Sequence, residues 1–120
     1  MLRRKNGSIV AVSSSLSKRT SEGFLAQSTA KAAVDAFVRA LACELGPGGV
    51  RVNTVAPGLI LTDAAYPMSA NNKAFIASQS PLRRNGVAED IAGAVLFLAS
   101  ELSQFMTGTY VPIDGGHTML

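Results

Sequence analysis

Three side chains stand at a spacing that could serve one site: the hydroxyl of Ser14, the carboxamide of Gln27 and the ammonium of Lys31. Gln27 and Lys31 are four residues apart, which on a helix places them one turn apart on the same face. Ser14 closes an apolar run, where a strand would end. Together the three groups can hydrogen-bond a polar small molecule, and Lys31 adds a fixed positive charge. A carboxamide donates and accepts hydrogen bonds but does not titrate near neutral pH, so Gln27 itself is no general acid or base. Taken singly, a serine after a strand is usually a turn residue and a helix lysine is usually solvated. The joint spacing is what singles them out.

The elements that must position these groups follow from periodicity. Gly7 to Ser14 reads as a strand, because Ile9-Val10-Ala11-Val12 is a continuous apolar run of the kind found in parallel strands covered on both faces. A polar loop to about Gly23 leads into a helix from about Phe24 to Leu45. Its apolar residues, Ala30, Ala33, Val34, Phe37, Val38, Leu41 and Leu45, recur at helical spacing. Ala32, Ala36 and Ala40 form a second, small-residue face. Gly46-Pro47-Gly48-Gly49 stops the helix. Val50 to Val55 is a second strand, rich in β-branched residues, closed by Ala56-Pro57-Gly58. Leu59 to Ser80, broken by Pro67 and Asn71-Asn72, reads as a mobile loop with at most one helical turn. A second main helix spans about Ala88 to Ala99, with Glu89-Asp90 at its N-terminus and Ile91, Val95 and Leu98 on one stripe. The last strand spans about Thr109 to Ile113, and Asp114-Gly115-Gly116 ends it.

The order β-α-β-loop-α-β predicts an α/β fold with parallel strands and right-handed crossovers. In such sheets ligands bind beyond the carboxyl ends of the strands. Ser14, Pro57-Gly58 and Asp114-Gly115-Gly116 all lie there, so a crevice lined by Ser14, Gln27, Lys31 and the segment from Pro57 to Thr62 is expected.

Composition limits the alternatives. Apolar residues make up 48% of the chain and charged residues 16%, which suits a packed core. The net charge of +3 comes partly from Arg3-Arg4-Lys5 and Arg83-Arg84. These clusters are too short, and too poor in interleaved aromatics, for a nucleic-acid face. Cys43 is the single cysteine, which excludes an internal disulfide and a cysteine-rich metal site. Its helical position suggests a small buried hydrophobe. No apolar run approaches the roughly 18 residues of a membrane span, and none resembles a signal-peptide core. The cytoplasm is the expected compartment.

From Ser14 to Lys31 the chain resembles the active-site segment of the short-chain dehydrogenase/reductase family, in the manner of its 3-oxoacyl-carrier-protein reductases. There a serine ends a buried strand and a Tyr-x-x-x-Lys motif opens the next helix. The resemblance covers essentially all 120 residues. It includes Lys31-Ala32-Ala33-Val34 and Val50-Arg51-Val52-Asn53-Thr54-Val55-Ala56-Pro57-Gly58. It continues through Pro81-Leu82-Arg83-Arg84-Asn85-Gly86, Glu89-Asp90-Ile91-Ala92 and Asp114-Gly115-Gly116. It implies the C-terminal half of a doubly wound Rossmann-type sheet, with three strands, two main helices and one lid loop, as a single partial domain over residues 1–120. It also implies NAD or NADP as cofactor and a small carbonyl or alcohol substrate. Ser14 would polarise the substrate carbonyl, and Lys31 would hold the nicotinamide ribose. Pro57, Gly58, Ile60 and Thr62 would face the nicotinamide, with about Asp63 to Ser80 as the substrate lid.

Two departures qualify the resemblance. Gln27 occupies the position of the family's catalytic tyrosine, whose loss costs on the order of 10²–10⁴-fold in rate. Ser28 lies about 100° round the helix and substitutes poorly. Tyr66, in the lid, is the phenol that could swing in. The second departure is the missing Gly-rich phosphate loop. Gly46 to Gly49 follows a helix rather than a strand and is not that fingerprint. The expectations are therefore a truncated or split oxidoreductase, impaired and binding dinucleotide weakly by itself, with an open strand edge that favours self-association. Partners would be a second copy, an intact homologue or a complementing half. A non-catalytic subunit of an intact homologue, or a non-redox cyclase or isomerase site, are the alternative outcomes.

Overall fold

A computed structural model of the chain describes residues 1–65 and 67–119. Three parallel strands form one sheet in the order β1-β2-β3, with β1 at Gly7–Val12, β2 at Val50–Pro57 and β3 at Tyr110–Ile113. The register runs from Gly7 opposite Val50 to Val12 opposite Val55, and from Thr54 opposite Tyr110 to Pro57 opposite Ile113. The expected α/β architecture with parallel strands is present. β1 stops two residues earlier than expected because Ser14 turns into a 3-10 turn at Ser15–Ser17, while the Ser13 N–H still pairs with the Val55 carbonyl at 2.8 Å. β2 runs two residues longer than expected and ends at Pro57.

The long helix α1, Leu25–Leu45, covers one face of the sheet. Val38, Ala42 and Val52 form the buried centre, with Ile9, Ala11, Val34, Leu41 and Leu45 around them. Only part of the apolar stripe read from the sequence faces inward. Phe37 is 63% exposed, and Ala30 and Ala33 are exposed with it. The seven apolar positions span a wider arc than a single sheet covers. Cys43 is exposed rather than buried, since Ala42 beside it takes the inward position. α1 passes through a 3-10 turn at Gly46–Gly48 into Gly49, whose φ of 75° and close approach to the Lys5 carbonyl leave no room for a Cβ.

The opposite face is covered by α3, Ala88–Ala99, with Leu98 fully buried. Strand alternation sends Ser8 and Arg51 to this side. The Ser8 hydroxyl donates to the Leu98 carbonyl at 2.7 Å, and Arg51 donates to the carbonyls of Leu98, Ser100 and Ser103. These bonds satisfy carbonyls at the C-terminus of α3 and in the 3-10 turn at Glu101–Ser103 that follows it. β2, between two strands and two helical layers, has Val52, Asn53, Thr54, Val55 and Ala56 at 0–1% exposure. β1, at the sheet edge, is only partly covered, and Val12 is 53% exposed.

The lid segment departs most from expectation. Instead of a loop with one helical turn, it contains a ten-residue helix, α2, at Ala70–Gln79. Its N-cap is Ser69, whose Oγ accepts the Asn72 N–H at 3.2 Å. The Asn71-Asn72 pair taken as a breaker falls in the first turn, where a side-chain cap compensates for weak propensity. Tyr66 lies outside the described residues.

Candidate active site

Lys31 reaches the carboxyl end of β1. Its Nζ donates to the Val12 carbonyl at 2.9 Å, two residues before Ser14. The helical turn that carries it is fastened to the same strand end, because the buried Ser13 hydroxyl donates to the Lys31 backbone carbonyl at 3.2 Å. Ser14 is extended, with φ −157° and ψ 149°, and caps the turn Ser15–Ser17. Its Oγ accepts the Leu16 N–H at 3.2 Å. Its carbonyl accepts the Ser17 N–H at 3.0 Å and the Tyr110 hydroxyl at 3.3 Å. Ser14 and Lys31 are thus brought to one strand end, as their spacing suggested. Gln27 stands in the first turn of α1, one turn before Lys31, and is exposed. The Ser28 hydroxyl is engaged elsewhere, 2.5 Å from Thr20 Oγ1.

The neighbouring strand end brings the second group of candidates. Pro57 is the last residue of β2, and the Gly58 N–H donates to the Ile113 carbonyl at 3.0 Å. A Cβ on Gly58 would stand 2.8 Å from that of Asp114, so the close approach of these two strand ends requires glycine. Beyond it Ile60 bridges to Gly86. The Leu61 N–H donates to Gly86 and the Gly86 N–H to Leu59, both at 2.9 Å. Ile60 is half-buried and Thr62 is exposed. The carboxylate of Asp114 accepts the N–H groups of Gly116 and Thr118, which folds the chain back after β3.

Sequence inspection missed a polar cluster behind Ser14. Asp35, one turn after Lys31 on α1, is 3% exposed, and its carboxylate accepts no hydrogen bond from the described residues. The cation near it is Lys18, with Nζ at 3.8 Å, an ion pair too long to be a hydrogen bond. Lys18 Nζ also lies 5.2 Å from the centre of the Tyr110 ring. Burial pushes the Tyr110 phenol above its usual pKa; the Ser17 hydroxyl opposes this, and the Asp35 and Asp114 charges reinforce it. Asp35 carries a readable signal, a carboxylate four residues after Lys31 and next to the apolar Val34 in α1. The part of Tyr110 has none, because it depends on strand pairing.

The set offers a lysine ammonium and a serine hydroxyl at one strand end, with an exposed carboxamide one helical turn before the lysine. It can bind and orient a hydroxylated or carbonyl compound, and its carboxamide hydrogen-bonds without titrating. No cluster of metal-ligating side chains occurs among the described residues. None of the described helices is long and apolar enough to cross a membrane.

Comparison with known proteins bears on the family and the fold. A family model described as enoyl-(acyl carrier protein) reductase matches residues 1–118. The chain is 43% identical over 121 residues to a cyclohexanol dehydrogenase of Rhodococcus, covering 98% of this chain and 45% of that protein. It is 42% identical over 118 residues to a 3-oxoacyl-[acyl-carrier-protein] reductase of Chlamydia pneumoniae, covering 98% and 48%. The fold superposes with TM-score 0.93 on a short-chain type dehydrogenase/reductase from Mycobacterium ulcerans, at 40% identity, covering 99% of this chain and 44% of the other. A gluconate 5-dehydrogenase from Burkholderia cenocepacia, solved with NADP and tartrate, superposes with TM-score 0.94 at 26% identity, covering 99% and 48%. The chain spans about half the length of the curated relatives it matches.

Proposed function

The chain belongs to the short-chain dehydrogenase/reductase family, and on that footing we propose that it supplies the substrate- and nicotinamide-facing half of an NAD(P)-dependent carbonyl or alcohol oxidoreductase site. The observation that supports this reading is the bond from the Lys31 ammonium to the Val12 carbonyl at the end of β1, two residues before Ser14. An ammonium has three N–H donors, and the bond to Val12 uses one. The other donors suit ribose hydroxyls, while Ser14 Oγ suits a substrate carbonyl. Pro57, Gly58, Ile60 and Thr62 suit the nicotinamide end, and the segment through α2 suits a cover over the substrate. The dinucleotide would supply the hydride, and the protein orientation and charge.

Gln27 leaves this half without the family's proton-transferring phenol. The sequence also carries no G-x-G-x-x-G fingerprint, so the chain by itself would bind NAD(H) or NADP(H) weakly and turn over slowly. The test restores both missing parts. The chain is mixed with, or fused to, the dinucleotide-binding half of a close relative, and nicotinamide absorbance is followed over a panel of ketones. Gln27→Tyr should raise the rate on the order of 10²–10⁴-fold, and Lys31→Ala should abolish the gain. Equal rates for the parent and the Gln27→Tyr variant would overturn the assignment of position 27 as the lost acid.

A second reading has its own observation. Phe37 at 63% and Leu25 at 83% exposure leave an apolar face on α1, and β1 is an open edge. Such surfaces favour a role as a subunit assembled on a second copy, a complementing half or an intact homologue. Sedimentation of the chain alone, and with a full-length relative, separates these outcomes. A cooperatively folded monomer at all concentrations, with no association, would remove the subunit reading.

A further inference from the structure

We infer that Tyr110 is a positioning residue for Ser14, acting across the sheet through its hydroxyl. The assignment rests on the reading of Ser14 as the substrate-orienting group, and it adds a residue that neither Ser14's neighbours nor the helix bearing Lys31 could indicate.

The loop after β1 has few ways to hold its shape. Ser14 Oγ and the Ser14 carbonyl bond to Leu16 and Ser17, within the same turn. Such local bonds rotate with the turn and do not fix it against the sheet. Among the described residues, Tyr110 gives Ser14 its one hydrogen bond from a distant element: the phenol donates to the Ser14 carbonyl at 3.3 Å, across 96 residues of sequence. The Tyr110 phenol oxygen in turn accepts the Ser17 hydroxyl at 3.4 Å, so both ends of the turn meet one atom.

The phenol is itself held. Tyr110 opens β3 opposite Thr54, in the most buried strand of the molecule. The Lys18 ammonium lies 5.2 Å from its ring centre and is drawn toward Asp35 on α1. Tyr110 therefore joins the Ser14 turn to the sheet, and Lys18 joins the same turn to the helix that carries Lys31. A further tether, from Arg19 to the His117 carbonyl at 2.7 Å, ties the loop to the segment after β3. Burial keeps the phenol neutral, and so a donor, through the physiological range.

The test is Tyr110→Phe in the whole chain, which removes one oxygen and keeps the ring beside Lys18. In the isotope-labelled protein the Ser14 carbonyl carbon should move upfield on losing a hydrogen bond. The Leu16 and Ser17 amides should exchange on the order of tenfold faster, the size expected for one buried bond. The β2 amides should not change. An unmoved Ser14 carbonyl with unchanged loop exchange would overturn the inference. So would equal acceleration in β2, since the hydroxyl would then serve general packing. Ser17→Ala is the second variant: it leaves the Tyr110–Ser14 bond in place and should leave the Ser14 carbonyl resonance unchanged. A shift as large as that of Tyr110→Phe would overturn the inference. In the complemented enzyme carrying Gln27→Tyr, adding Tyr110→Phe should lower kcat on the order of tenfold with KM unchanged. A loosened loop with kcat unchanged would instead overturn the role given to Ser14, with the Tyr110 assignment standing.

Discussion

At the end of β1, Tyr110 bonds Ser14 from 96 residues away, and Lys18 faces the buried Asp35 across 3.8 Å. On the lid side, Arg84 holds Asp90, six residues on, through two bonds of 2.7 and 2.9 Å, and Ser69 caps Asn72, three residues on. The lid-side bonds are shorter, yet they are exposed and local. The bonds behind Ser14 are longer, but they are set among buried groups and join separate elements. Distance alone is a poor guide to which set matters more. Water screens the exposed pair, whereas a buried carboxylate that loses its cation has nothing to replace it.

Removing Lys18 should therefore give the largest stability effect. Lys18→Met leaves the Asp35 charge buried and unpaired, and should cost about 2 kcal/mol, below the usual range for a broken buried pair because Lys18 is partly exposed. Denaturant unfolding would measure it. Replacing the partner as well, as Lys18→Met with Asp35→Leu, should recover most of the loss. A double variant as unstable as the single one would show that Lys18 acts by packing rather than by charge.

Ser69→Ala should cost about 1 kcal/mol, confined to α2. Amide exchange should quicken in α2 while the sheet stays protected. Acceleration spreading to β2 would mean that the lid and the sheet form one cooperative unit, and the contrast between the two regions would fail.

The smallest effect is expected from Asp90→Asn. The Arg84 guanidinium and the Val87 N–H hold the Asp90 carboxyl well below the usual carboxylate range. A depressed folded-state pKa stabilises the protein above the unfolded value, about 4, and the contribution is lost as pH falls below it. The variant should thus melt slightly lower than the parent at pH 7, with the gap closing as the pH drops below about 4. A gap that persists in acid would assign the effect to capping of α3 rather than to charge.

Where a segment's order comes from its own residues, the sequence was readable. β1 showed in Ile9 to Val12, α3 in Ile91, Val95 and Leu98, and the end of α1 in Gly46 to Gly49. That Lys31 would reach the end of β1 was readable as well, because a strand end and the next helix turn are short-range facts. α2 was not. Asn71-Asn72 and low apolar content argue against a helix, and a single cap at Ser69 outweighs them.

Amino-acid order by itself determined the parallel β-α-β frame, the family and the carboxamide at position 27, since each depends on periodicity or on residue type at a given position. Only the tertiary structure decided which arc of α1 is covered, leaving Phe37 and Cys43 exposed, and that Asp35, Lys18 and Tyr110 meet behind Ser14. Those outcomes depend on strand pairing and on which surfaces exclude water, quantities defined between elements and absent from any one of them.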